Sequence, residues 1–107
     1  RMITQKGKLT YGVEHGGKVH VDFELRLPTI GDNITALEEV GTESNLRLGV
    51  AMMAASLVSL GDIPSDEITF DLLASELVDD DYDILKLAQN ELKKSRTASK
   101  SVAVITD

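Results

Sequence analysis

Carboxylates dominate the side chains of this sequence that could do chemistry, and their densest group is Asp79-Asp80-Asp81-Tyr82-Asp83. Acids at alternating positions can open a calcium loop. That loop also needs a glycine at its sixth place for the turn and a glutamate at its twelfth as bidentate ligand. Counted from Asp79, those places hold Ile84 and Asn90, so the cluster reads as helix capping and a solvated face. His15 and His20 are the two imidazoles, one in a predicted loop and one on the polar face of a predicted strand. Both are expected to be surface residues. With no cysteine there is no thiolate metal site, disulfide or thiol nucleophile, and two histidines alone do not make a zinc site. No serine stands in a nucleophile elbow, and Gly16-Gly17 lies between two strands, where it suits a turn rather than a phosphate cradle. The expectation is therefore no catalytic residue, no metal, no cofactor and no enzymatic activity.

Two strands and a run of helices must carry these groups. Val19, Val21, Phe23, Leu25 and Leu27 alternate with His20, Asp22, Glu24 and Arg26, which predicts a strand with one buried and one wet face. Pro28 cannot donate to a ladder and should end it. Lys8 to Val13 reads as the strand before it, with Leu9, Tyr11 and Val13 on one face. A two-residue turn at Gly16-Gly17 would set Val13 opposite His20 and mix the faces. An odd-length loop, such as His15-Gly16-Gly17, pairs Val13 with Val19, so a loop of three or five residues with Gly17 left-handed is expected.

Thr29 is placed to cap a helix from about Ile30 to Val40, with Asp32 in its first turn and Gly41 as its stop. Ile34 and Leu37, joined by Ile30 and Val40, form its expected inward stripe. A second helix is predicted from Glu43 to Leu60, where Leu46, Val50, Met53, Leu57 and Leu60 recur at helical spacing. It is apolar nearly all round, but too short and too rich in serine and alanine to span a membrane. Its second face is either buried or free to meet a partner, another copy of the chain included. Ser65 can cap a turn at Asp66-Glu67. Ile68, Phe70 and Leu72 then alternate like a strand while Leu73 and Leu77 fit a helix; a short helix near Phe70 to Ser75 is the favoured reading. A last helix runs from about Asp80 to Lys94. Tyr82, Leu85, Ala88 and Leu92 share one face of that helix. Arg96 to Asp107 lacks stable periodicity.

The elements compose an α+β fold, an N-terminal antiparallel β-hairpin packed on a bundle of three to four helices. One domain covers residues 1–94, and 95–107 form a mobile basic tail. The net charge is −7, and Asp62 to Glu91 holds ten acids against Lys86 alone. An acidic body argues against binding nucleic acid through its phosphates. The N-terminal RMITQKGKLT lacks an apolar signal core, which predicts a cytoplasmic protein.

Leu25-Arg26-Leu27-Pro28-Thr29-Ile30-Gly31-Asp32, the apolar Leu46–Leu60 helix, and Asp81-Tyr82 followed by Leu85 together resemble the tail assembly chaperones of Mu-like, contractile-tailed phages. Leu27 departs from that pattern, since a second arginine is frequent there, and the stretch from Ile63 to Asp79 is longer than usual. The resemblance implies a protein of the host bacterial cytoplasm. It would bind the phage tape-measure protein and keep it soluble until tail-tube subunits polymerise around it, the tail-tube protein being a further candidate partner. It implies Arg26, Pro28, Thr29, Gly31 and Asp32 as formers of a structural corner. Met52, Met53 and Leu57, with Tyr82 and Leu85, are the expected partner-binding surface, because methionines adapt to varied apolar partners. Two other readings stay open: a structural tail adaptor retained in the virion, and an acidic DNA mimic.

Overall fold

The computed structural model describes residues 3–106, with side chains for residues 3–98. β1 (Gln5–His15) and β2 (Lys18–Leu25) form an antiparallel hairpin, and β3 (Leu57–Leu60) adds to β2 to give the sheet order β1-β2-β3. The helices are α1 (Ile30–Val40), α2 (Asn45–Ser56), α3 (Phe70–Glu76) and α4 (Asp79–Thr106). This is the α+β fold expected from the sequence, with a third strand added. The main core lies between the sheet and the helices, where Val13, Phe23, Leu25, Leu57 and Leu60 meet Met53, Leu73 and Leu85. Phe70, Ala36 and Ala51 centre a second cluster, where α1 packs on α2.

The hairpin departs from its predicted register. Its loop is the two-residue Gly16-Gly17 turn with both glycines left-handed (φ 61 and 77), and His15 pairs with Lys18 and Val13 with His20. The expected mixing of faces does occur: His20 is buried beside Val13, and its ring is satisfied there by hydrogen bonds. Its Nδ1 accepts from the Asp62 N–H (3.2 Å), which leaves Nε2 to donate to the His15 carbonyl (3.0 Å). A polar ring with both nitrogens satisfied can be buried at little cost. His20 is 7% exposed, and Val19 faces outward at 57%. His15 sits at the end of β1 and meets Glu67 Oε1 at 2.8 Å. Further along, β1 places four residues, Leu9 to Gly12, against Val21 alone, since Lys8 pairs with Asp22 and Val13 with His20.

The second correction concerns the end of the apolar helix. α2 stops at Ser56, where the Arg26 N–H donates to the Ser56 carbonyl (3.0 Å) and the Arg26 guanidinium to the Ala55 carbonyl (2.7 Å). Capture of the last carbonyls by a cation ends a helix favourably. Leu57 to Leu60 then runs as a strand with Leu57 opposite Leu25 and Leu60 opposite Phe23, while Val58 bulges out. An inward pair three residues apart fits a helix or a strand with one extra residue, and periodicity cannot separate them.

α1 has the predicted bounds, and its C-cap Gly41 donates to the Leu37 carbonyl. Its stripe is rotated: Ala36 is buried, while Ile30 (74%) and Ile34 (52%) are exposed. Ala36 packs there against Ala51 and Phe70, with Val40 half-buried beside them. A 3-10 turn covers Ser65–Glu67 without a side-chain cap from Ser65. α3 lies where expected. α4 continues as helix to Thr106 across the segment read as an aperiodic tail. No helix among the described residues is long and apolar enough to cross a membrane.

Candidate functional site

Arg26, at the exit from β2, organises the corner into α1. Its Nη1 and Nη2 donate to Asp32 Oδ2 (2.6 Å) and Oδ1 (3.1 Å), while the same guanidinium reaches the Leu27 and Ala55 carbonyls. Asp32 Oδ2 also accepts from the Thr29 N–H (2.7 Å), and the Asp32 N–H donates to Thr29 Oγ1 (3.2 Å), a reciprocal capping box. A bidentate, largely buried pair of this kind is geometrically specific. The Arg26 guanidinium holds the Asp32 carboxyl at about 2, well below the usual carboxylate range. Three of the predicted corner residues, Arg26, Thr29 and Asp32, are thus one hydrogen-bonded unit. Pro28 is half-buried between them. Gly31 is exposed, and a Cβ there would make only an ordinary contact at 3.5 Å, so the corner does not require glycine.

Asp81 makes the second junction. It is fully buried at 0% exposure, in the first turn of α4. Its carboxylate accepts from three consecutive backbone amides of the β1 bulge: Thr10 (2.8 Å), Tyr11 (3.0 Å) and Gly12 (2.9 Å). Successive N–H groups turned to one side form a concavity suited to an anion, and a carboxylate in a helix's first turn is further favoured by the dipole. Gly12 closes the bulge with φ 88, and a Cβ there would stand 2.6 Å from Val19 Cγ1. The sequence reading took Asp81 as part of a solvated face. The signal was present in the helix phase: Asp81, Leu85, Ala88 and Leu92 fall on one stripe, with the acid at its N-terminal end.

The predicted partner-binding residues do not form a surface. Met53 (2%), Leu57 (6%) and Leu85 (1%) are core residues, and Leu57 belongs to β3. Burying them completes the sheet–helix core, so they are corrected from docking residues to packing residues. Met52 is half-buried against the Phe70 cluster. Tyr82, also half-buried, opens onto a cleft.

That cleft, of about 200 Å³, lies between α2, α3 and the start of α4, lined by Leu46, Val50, Phe70, Leu73, Leu77 and Tyr82 among others. Gly49 of α2 lets Tyr82 approach: a Cβ there would stand 2.6 Å from the phenol oxygen. Burial pushes the Tyr82 phenol up from its ordinary pKa. Arg47 lies over the Phe70 ring at 4.9 Å and Lys86 over the Tyr82 ring at 4.9 Å, both cation–π geometries. Apart from Arg47, the lining is apolar with aromatic walls. Among the described residues, no group of three or more His, Asp or Glu is placed to hold a metal ion.

No family model, curated protein or solved structure matches this chain.

Two predictions follow from the junctions. Because the Asp32 carboxyl lies at about 2 in the fold, its contribution is present above the ordinary carboxylate range and is lost as pH falls through about 2. The stability gap between wild type and Asp32→Asn, read by urea melts, should narrow steadily from pH 5 downward; a constant gap contradicts the pairing. Asp81→Ala leaves the bulge amides without an acceptor and should cost about 3–5 kcal/mol. Asp81→Asn keeps one acceptor oxygen and should cost less. Equal losses for both variants in the same melts would contradict the clamp.

Proposed function

We propose that this chain is a tail assembly chaperone of the Mu-like, contractile-tailed phage type, working in the host bacterial cytoplasm. It holds the tape-measure protein soluble while the tail tube polymerises around it. The observation that carries this reading is the Leu25–Asp32 stretch, on which the resemblance rests. In the fold its arginine, threonine and aspartate act together as a single corner tying β2, α1 and the end of α2. The stretch therefore has a structural reason to keep its residue types together.

A binding role is further supported by the open apolar cleft, a ready place for a side chain from a helical partner. The acidic exterior, at a net −7, favours solubility of a complex with an aggregation-prone chain. The contact belongs at the cleft around Tyr82 rather than at Met53, Leu57 and Leu85, which are committed to the core.

Co-expression with the tape-measure protein of the same phage tests the reading. The expected result is a soluble complex that co-purifies, with the chain missing from finished virions. Precipitation of the tape-measure protein despite co-expression contradicts it. Recovery of the chain in purified virions would assign it to the tail structure instead.

A further inference from the structure

The cleft between α2, α3 and α4 has a definite size and a definite charge around it. Its volume of about 200 Å³ is smaller than the roughly 300 Å³ at which small-molecule pockets begin, and suits one large apolar side chain. Leu46, 60% exposed, stands at its lip. The acids Asp71, Glu76, Asp79, Asp80 and Asp83 are all exposed and each lies within two residues of a lining residue. At 3.8 Å per residue their backbones are within about 8 Å of the lining, close to one screening length in physiological salt. Against these five acids stand two cations on aromatic faces: Arg47, which itself lines the cleft, and Lys86. Lys86 is further drawn to Asp83 at 3.5 Å. The mouth is therefore net negative at the range over which charges act.

We propose that this cleft receives one large apolar side chain of a basic amphipathic helical segment, whose lysines or arginines one turn away meet the surrounding acids. A helix presents residues three and four apart on one face, so an anchor with cations at those spacings matches an apolar slot with exposed acids on the segments that form it. Charge complementarity sets the choice of partner and the on-rate, while the anchor supplies the burial. The identity of the partner as a tape-measure protein rests on the chaperone reading; the chemistry of the segment rests on the cleft.

The test uses the full chain and two helical probe peptides with the same leucine anchor, one carrying lysines and the other glutamates at the flanking positions. Binding is read by fluorescence anisotropy and by amide shifts. The lysine peptide should bind at least roughly tenfold tighter than its glutamate twin, with a preference that shrinks as salt rises. Its shifts should centre on Val50, Phe70, Ala74 and Leu77. Ala74→Trp, which fills the mouth from an exposed position, and the double charge reversal Asp71→Lys/Glu76→Lys should each weaken binding by roughly tenfold. Equal affinity for both peptides, tighter binding of the glutamate peptide, shifts on another face, or indifference to Ala74→Trp overturns the proposal. Tape-measure capture that persists in Ala74→Trp keeps the chaperone role and removes the cleft from it. Specific binding of the lysine peptide with no capture of the tape-measure protein keeps the cleft and removes the chaperone role.

Discussion

The Asp81 carboxylate joins the two halves of this fold, and much else depends on where it sits. Four residues of β1 face one residue of β2, and a bulge of that size leaves backbone amides with no strand partner. An unpaired amide away from water costs free energy comparable to a lost hydrogen bond. Asp81 accepts from three of them, and being in α4 it fixes that helix against the sheet at the same time. The phase of α4 follows: once Asp81 points at β1, Leu85 and Leu92 must also face the core, and both are buried. The carboxylate also occupies amides of an edge strand that could otherwise pair with another chain.

Arg26 plays a similar part at the other side of the sheet. One guanidinium bonds Asp32 at the start of α1 and the Ala55 carbonyl at the end of α2, so strand exit, helix start and helix end share one cation. Ending α2 there frees Leu57 to Leu60 to become the third strand, which brings Leu57 and Leu60 onto β2. The loop after β3 returns through Asp62 to His20, whose buried ring holds the hairpin turn and that loop together. The frame is thus fixed by three polar residues placed among aliphatic side chains, in a chain whose aromatic content is only 4%.

Local signals carried far in this sequence where one element decided its own outcome. Thr29 and Gly41 bracket α1 because caps are local chemistry, and the face of α4 followed from helical spacing. Features that depend on distant partners were not legible. The leucines of β3 share a spacing with a helix, and only the carbonyls captured by Arg26 decide between the two. His20 looked like a wet residue until the Asp62 amide supplied its second hydrogen bond. Ile30 and Ile34 looked inward by hydrophobicity, but the face of α1 that meets α2 and Phe70 is the one carrying Ala36. The expected partner surface failed because Met53, Leu57 and Leu85 are large apolar residues on the inward faces of their elements, and they pack the core. What remains for a partner is the cleft beside Tyr82, on helices held by the Asp81 and Arg26 junctions.

Hydrogen exchange, residue by residue, of the chain alone and with the proposed tape-measure partner added tests this account most directly. A fold hung on the Asp81 clamp should show the Thr10, Tyr11 and Gly12 amides among the slowest to exchange in both states. Binding at the cleft should add protection around Val50, Phe70 and Leu77 and leave the outer face of the sheet unchanged. Rapid exchange at Thr10 to Gly12, or new protection confined to the sheet, would contradict it.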